Sequence, residues 1–107
     1  MVVNRFDVYL INLDPTVGSE IKKTRPCLII SPDEMNRHIN TVIVAPLTTT
    51  GKKYPTRIVC QFKRKKGYIV LDQIRTIDKT RFIKNLSTLD SEAQIKVITV
   101  LERLFAF

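Results

Sequence analysis

Arg25 is the residue of this chain best placed to do chemistry. It closes a polar loop, Asp14-Pro15-Thr16-Val17-Gly18-Ser19-Glu20-Ile21-Lys22-Lys23-Thr24, and Pro26 follows it directly. Proline restricts the residue before it to extended backbone, so this cation is held in place rather than left floating. A planar guanidinium fork can bind two phosphate oxygens together and stabilise the charge that accumulates during displacement at phosphorus. A neighbouring hydroxyl would add a further hydrogen bond, and Thr48, Thr49 and Thr50 offer one after an apolar stretch. The plainer alternative pairs Arg25 with Glu20 on the surface and leaves the threonines to strand-end and turn duties.

Other chemistries are narrowed by composition. His38 is the only histidine, which excludes a pair of imidazoles acting as acid and base, and its surroundings, Asn36-Arg37-His38-Ile39-Asn40, read as an exposed loop. Two-metal cleavage needs clustered carboxylates, yet Asp72 stands alone at the end of a long stretch without acids. Cys27 and Cys60 are far apart and lie within apolar runs, so buried thiols are expected rather than a disulfide or a zinc site. RNA bypasses these requirements, because its own 2′-hydroxyl can attack the adjacent phosphodiester. The protein then has only to position and neutralise.

Charge points the same way. The 107 residues carry a formal net charge of +8. Acids fall at 7, 14, 20, 33, 34, 72, 78, 90, 92 and 102, so residues 35–71 contain none. That window holds Arg37, Lys52, Lys53, Arg57, Lys63, Arg64, Lys65 and Lys66, which account for the whole excess. A local positive surplus suits a polyanion-binding surface. Lys63 to Lys66 also read as a hairpin tip whose lysines serve solubility.

The elements that must position these groups read as mainly β. Runs rich in aliphatic and β-branched residues predict strands over 6–13, 26–31, 41–47, 56–62 and 68–72, a spacing that suits a small antiparallel sheet or barrel. Gly51-Lys52-Lys53-Tyr54-Pro55 and Lys63-Arg64-Lys65-Lys66-Gly67 read as hairpin connections, with glycine supplying backbone freedom. Tyr54 reads as hairpin packing or as a platform for a base. Pro32 to Asn36 and Asp78 to Lys84 predict short helical turns. Ser91 and Gln94 match a capping box for a C-terminal helix whose stripe of Ile95, Ile98, Leu101 and Phe105, with Val97 and Leu104, is expected to pack into the core.

The length predicts one domain over residues 1–107. No apolar run is long enough for a membrane span, and the N-terminal residues lack a signal-peptide pattern, so a cytoplasmic protein is expected.

Five blocks together closely resemble the MazF/PemK family: Asp14-Pro-Thr-Val-Gly-Ser-Glu20, Lys23-Thr-Arg-Pro-Cys27, Ser31-Pro-Asp-Glu-Met-Asn36, Val44-Ala-Pro-Leu-Thr-Thr-Thr50 and Leu71-Asp-Gln-Ile-Arg-Thr-Ile-Asp78. The match runs from about Phe6 to Leu89, in the family's order and spacing. It implies an SH3-like β-barrel with peripheral helices, including a C-terminal α-helix, of the MazF/CcdB/Kid type. It further implies the toxin of a type II toxin–antitoxin pair: a homodimeric, metal-independent, sequence-specific endoribonuclease that cuts single-stranded messenger RNA to 2′,3′-cyclic phosphate and 5′-hydroxyl ends. The implied partner is a MazE-like antitoxin, and no cofactor is implied.

By this resemblance the catalytic pair is Arg25 and Thr48. Guanidinium groups hold their protons throughout the neutral range, so electrostatic stabilisation is the safer role for the arginine. Ser19, Glu20, Lys22 and Lys23 match the family's mobile lid, and Gln73 matches a residue near the bound bases. Thr49, Thr50, Lys52, Lys53 and Asp72 complete the expected RNA-binding set. The Kid-type branch relies on an aspartate and an arginine two residues earlier; here Asp72 is present but Val70 holds the arginine's place. That departure favours Arg25 with Thr48 and leaves Asp72 a supporting role. The rival reading is a CcdB-like gyrase poison with the same fold and no ribonuclease activity, which explains neither the basic window nor the Arg25/Thr48 pair.

Overall fold

The computed structural model describes residues 1–107. Its elements are β1 (Asp7–Asn12), β2 (Thr24–Ile29), α1 (Asp33–His38), β3 (Thr41–Thr48), β4 (Arg57–Phe62), β5 (Lys65–Val70), β6 (Arg75–Asp78), β7 (Phe82–Thr88) and α2 (Ser91–Phe105). All seven strands join one antiparallel sheet in the order β4-β5-β3-β2-β1-β7, with β6 also pairing β3. Strand β3 therefore divides its free edge: Thr41 to Val44 pair with β6, and Leu47 and Thr48 pair with β5. The sheet curls where the partner changes. No helix is long and apolar enough to cross a membrane.

Both faces of the central strands are covered. Tyr9, Ile11, Cys27, Ile29, Val42 and Val44 pack on one side, while Val8, Leu28, Ile30, Ala45, Leu47 and Ile69 pack on the other with Val97 of α2. Double-sided burial is why β2 reads as the unbroken run Cys27-Leu28-Ile29 instead of alternating. Each fully buried aliphatic side chain contributes about 1.5–3 kcal/mol, so these strands form a rigid base for whatever their ends carry.

The predicted strands 6–13, 26–31, 41–47 and 56–62 correspond to β1–β4, and the fifth begins earlier than expected. Lys65 and Lys66 are already in β5, because the turn consists of Lys63 and Arg64 alone, at φ +49° and +66°. Gly67 thus lies inside the strand rather than in the turn. A Cβ there would sit 2.6 Å from the Thr48 carbonyl oxygen, so this glycine serves a close approach between β5 and β3. Leu71 and Asp72, expected at the strand's end, belong to a 3-10 turn over Leu71–Gln73.

Strands β6 and β7 were not expected. Asp78 to Lys84 contains a helical turn only at Lys79–Arg81, where the Asp78 carboxylate accepts from the Thr80 amide at 2.9 Å, and Phe82 re-enters the sheet. β7 is an edge strand whose side chains are mostly exposed, so it carries little of the alternation that marks a half-buried strand. Thr88 Oγ1 donates to the buried Asp7 carboxylate at 3.0 Å and helps hold this edge on β1.

The C-terminal helix forms with a different cap and a different buried face. Asp90 is the N-cap, accepting from the Ala93 amide at 2.7 Å, and Gln94 Nε2 donates to the Leu89 carbonyl at 2.8 Å. Val97 is fully buried, and Val100 and Leu101 pack beside it. Ile95 and Phe105 are 69% and 70% exposed and Leu104 is 38% exposed. The helix has more apolar positions than one face of the sheet can cover, so half of the expected stripe is exposed.

Candidate active site

The ladder between β2 and β3 runs through Ile29–Val44, Leu28–Ala45 and Cys27–Pro46 and then stops. Pro46 has no amide hydrogen to continue it, and Pro26 on β2 has none either. Beyond that point the two strands pair with other neighbours, Arg25 with Ile11 of β1 and Thr48 with Tyr68 of β5. Released from each other, they leave between them a groove of about 210 Å³ that both Arg25 and Thr48 line.

Arg25 is half-buried, and its Nε donates to the Lys22 carbonyl at 3.2 Å. Its terminal nitrogens make no hydrogen bond within the chain, and no carboxylate pairs with it. The Arg25–Glu20 ion pair of the plainer reading does not form; Glu20 instead accepts from the Val17 amide in its own loop. Thr48 Oγ1 accepts from the Thr50 amide at 3.2 Å and lies 3.1 Å from Thr50 Oγ1. This small turn fixes the end of β3.

Thr49 also lines the groove, whereas Glu20, Asp72 and Gln73 line a second cavity of about 250 Å³ with Pro46 and Arg75. Ser19, Lys22, Lys23, Thr50, Lys52 and Lys53 line neither. The loop of residues 14–23 is tied down in several places. Gln73 Oε1 accepts from the Ile21 amide at 2.7 Å while Gln73 Nε2 donates to the Ser19 carbonyl at 3.5 Å. The Asp14 carboxylate accepts from the Lys23 amide at 3.0 Å. The Gln73 amide is thus engaged with the loop's backbone rather than open to a base.

Asp72 is engaged too. Arg57 Nε and Nη2 donate to its two oxygens at 3.2 and 3.3 Å, and Thr56 Oγ1 donates at 3.0 Å. Partial burial pushes the carboxyl up, but the bonds from Arg57 and Thr56 prevail and hold it below the usual aspartate range. The same bond to Asp72 raises the Arg57 guanidinium above its ordinary value. Arg57 stands opposite Val70 in the β4–β5 register. The arginine absent from position 70 is therefore matched by one arriving from the neighbouring strand.

Sequence reasoning missed the far wall of the groove: Cys60 and Phe62 of β4, then Lys63, Lys65 and Gly67. The signal was the period-two alternation Ile58, Cys60, Phe62, which puts the last two on the inward face of an edge strand. No Asp or Glu lines this groove, so Arg25, Lys63 and Lys65 leave it strongly cationic. Tyr54, 61% exposed, is not part of it, and His38 lies at the end of α1 with its Nδ1 donating to the Glu34 carbonyl at 2.7 Å.

Both cysteines are free. Burial pushes the Cys27 thiol up to about 12 against a smaller opposing pull from Arg75, and burial likewise raises Cys60, aided by Asp90. Neither thiol is poised as a nucleophile. No three His, Cys, Asp or Glu side chains come together in a group that could hold a metal ion. The arrangement suits binding and charge stabilisation of a phosphodiester.

Comparison with known proteins gives the family and the fold. Residues 4–105 match the family model described as PemK-like, MazF-like toxin of type II toxin–antitoxin system. The chain is 42% identical over 108 residues to endoribonuclease EndoA of Bacillus subtilis (strain 168), covering 95% of this chain and 93% of that protein. Its fold superposes on the crystal structure of MazF (Form-I) from Deinococcus radiodurans with a TM-score of 0.87 at 23% identity, covering 100% of this chain and 99% of that one. It is also similar to an endoribonuclease in complex with its cognate antitoxin from a mycobacterial species, with a TM-score of 0.81 at 26% identity over 98% of each chain. The chain belongs to the PemK-like, MazF-like toxins of type II toxin–antitoxin systems.

Proposed function

We propose that this toxin is a metal-independent, sequence-specific endoribonuclease acting on single-stranded RNA, messenger RNA above all, with Arg25 and Thr48 as its catalytic residues. The observation that carries the reading is the groove that Arg25 and Thr48 line together, cationic and free of carboxylates. The 2′-oxygen bonds to phosphorus as the bond from phosphorus to the 5′-oxygen breaks. The proton released by the first matches the proton taken up by the second, leaving a 2′,3′-cyclic phosphate and a 5′-hydroxyl. Arg25 supplies the charge that stabilises the crowded phosphorane, and Thr48 donates to the scissile phosphate.

The flanking RNA-binding positions are Ser19, Glu20, Lys22, Lys23, Thr49, Thr50, Lys52, Lys53, Asp72 and Gln73. Where RNA takes the Gln73 amide, the loop over residues 19–21 is released. The protein acts in the cytoplasm as a homodimer, and a MazE-like antitoxin silences it by covering the groove. That a similar endoribonuclease occurs in complex with its cognate antitoxin supports this partner.

The test is incubation of the purified protein with a long RNA in excess EDTA, followed by mapping of the fragment ends. Discrete fragments with 5′-hydroxyl ends are expected. Intact RNA, or cleavage that EDTA abolishes, refutes the reading.

A further inference from the structure

We propose that the β4–β5 hairpin carries a nucleotide subsite beside Arg25 and Thr48, where an RNA base stacks on Phe62 and an adjacent phosphate is held by Lys63 and Lys65. The subsite rests on the ribonuclease reading above and names the part of the substrate that the hairpin grips. Phe62 is half-buried and lines the groove, so its ring is fixed yet within reach of a bound strand. The Lys63 ammonium lies over the ring, 5.8 Å from its centroid, and a stacking base takes that place as the ammonium moves aside to the phosphate. A flat aromatic surface flanked by cations is the arrangement that single-stranded nucleic acid uses, since every base has a π-face and every linkage a charge.

Three features separate this surface from a solubilising turn. First, Lys63 and Lys65 line the groove while Arg64 and Lys66 do not, so the cations alternate in direction. Second, Lys63 and Arg64 occupy left-handed backbone, φ +49° and +66°, that asparagine and glycine adopt at lower cost. Long cationic side chains are kept there against local preference. Third, Gly67 brings β5 so near Thr48 that a Cβ would meet the Thr48 carbonyl at 2.6 Å. The hairpin is thereby set rigidly against the end of the strand that carries Thr48.

The chain contains no tryptophan, so Phe62→Trp introduces a single indole at the subsite and Phe105→Trp a single indole at the exposed end of α2. Each is titrated with a 2′-O-methyl RNA oligomer of mixed sequence, which cannot supply the attacking hydroxyl. Quenching is expected for Phe62→Trp and not for Phe105→Trp. Phe62→Leu is expected to weaken binding about 5- to 100-fold, and Phe62→Tyr to change it less than about twofold. Joint Lys63→Gln and Lys65→Gln should lower the slope of log affinity against log salt by about 0.7, the share of one phosphate.

An absent quench at position 62, wild-type binding by Phe62→Leu, or equal quenching by a polyglutamate peptide overturns the subsite. The quench does not depend on how well Phe62→Leu folds. A wild-type protein that cuts unmodified RNA while the Phe62 results are null loses the subsite alone. A wild-type protein that neither cuts RNA nor binds the oligomer refutes the ribonuclease reading, and the subsite with it.

Discussion

Arg25 and Thr48 line one groove just beyond the point where the β2–β3 ladder ends at Cys27 and Pro46, and the guanidinium keeps its terminal nitrogens free of any protein partner. A surface arginine ordinarily finds a carboxylate or a carbonyl for its fork. Here only Nε is used, on the Lys22 carbonyl.

Arg25→Ala should therefore remove activity without unfolding the protein. A lost donor to a developing oxyanion costs about 10²–10³ in rate. Stability should stay within about 1 kcal/mol of wild type, since only the Nε bond to the Lys22 carbonyl is lost and no ion pair is broken. Single-turnover cleavage and urea unfolding, run on the same preparation, check both parts. Arg25→Lys should recover little, because an ammonium cannot offer the bidentate fork.

Gly67→Ala should damage stability and cleavage together. The new methyl would lie 2.6 Å from a backbone oxygen that cannot rotate away, so β5 or the end of β3 must shift. Overpacking of this kind costs about 1–3 kcal/mol. A thermal melt should show the loss, and cleavage measured well below the melting range should still be slow because Thr48 has moved.

Gln73 is a latch on the loop before Arg25, through its bonds to Ile21 and Ser19. One neutral hydrogen bond is worth about 0.5–1.5 kcal/mol net, so Gln73→Ala should speed exchange of the Ile21 amide by about 2- to 10-fold. Amides of the central strand β3 should exchange unchanged. Equal exchange at Ile21 in mutant and wild type would show that the loop is held by its other ties.

Acid should weaken the Arg57–Asp72 pair. The folded pKa of Asp72 is depressed, so its contribution is complete above the unfolded aspartate value near 3.9 and is lost as pH falls through the lower folded value. Wild type should thus exceed Asp72→Asn in stability at neutral pH, with the difference shrinking below about pH 4. Both partners are partly exposed, so the difference should also diminish in high salt. Urea midpoints measured from pH 7 down to pH 3 test the sign.

Much of this protein was legible in one dimension. The aliphatic runs that become β1–β4 had to be strands, because burial on one or both faces leaves a local hydrophobic pattern. Pro26 restrains Arg25 through local sterics, and the acid-free window is a property of composition. Local chemistry also marked Thr48 as one of three hydroxyls after an apolar strand, and the family resemblance singled it out. The edge strand β7 and the cap at Asp90 escaped because exposed edges carry weak patterns and because a serine beside an aspartate offers two equivalent starts.

What only the tertiary structure decided is which distant residues meet. Strand order and register are set by competition among all possible pairings, so nothing local placed Arg25 and Thr48 on one groove or drew Arg57 onto Asp72. The same holds for the wall of Phe62, Lys63 and Lys65, which the sequence showed only as a strand end and the hairpin tip that follows it. Residue types and their spacing determined what chemistry the chain can offer. The folded sheet determined which of those groups share a groove, because only long-range packing fixes the distance between them.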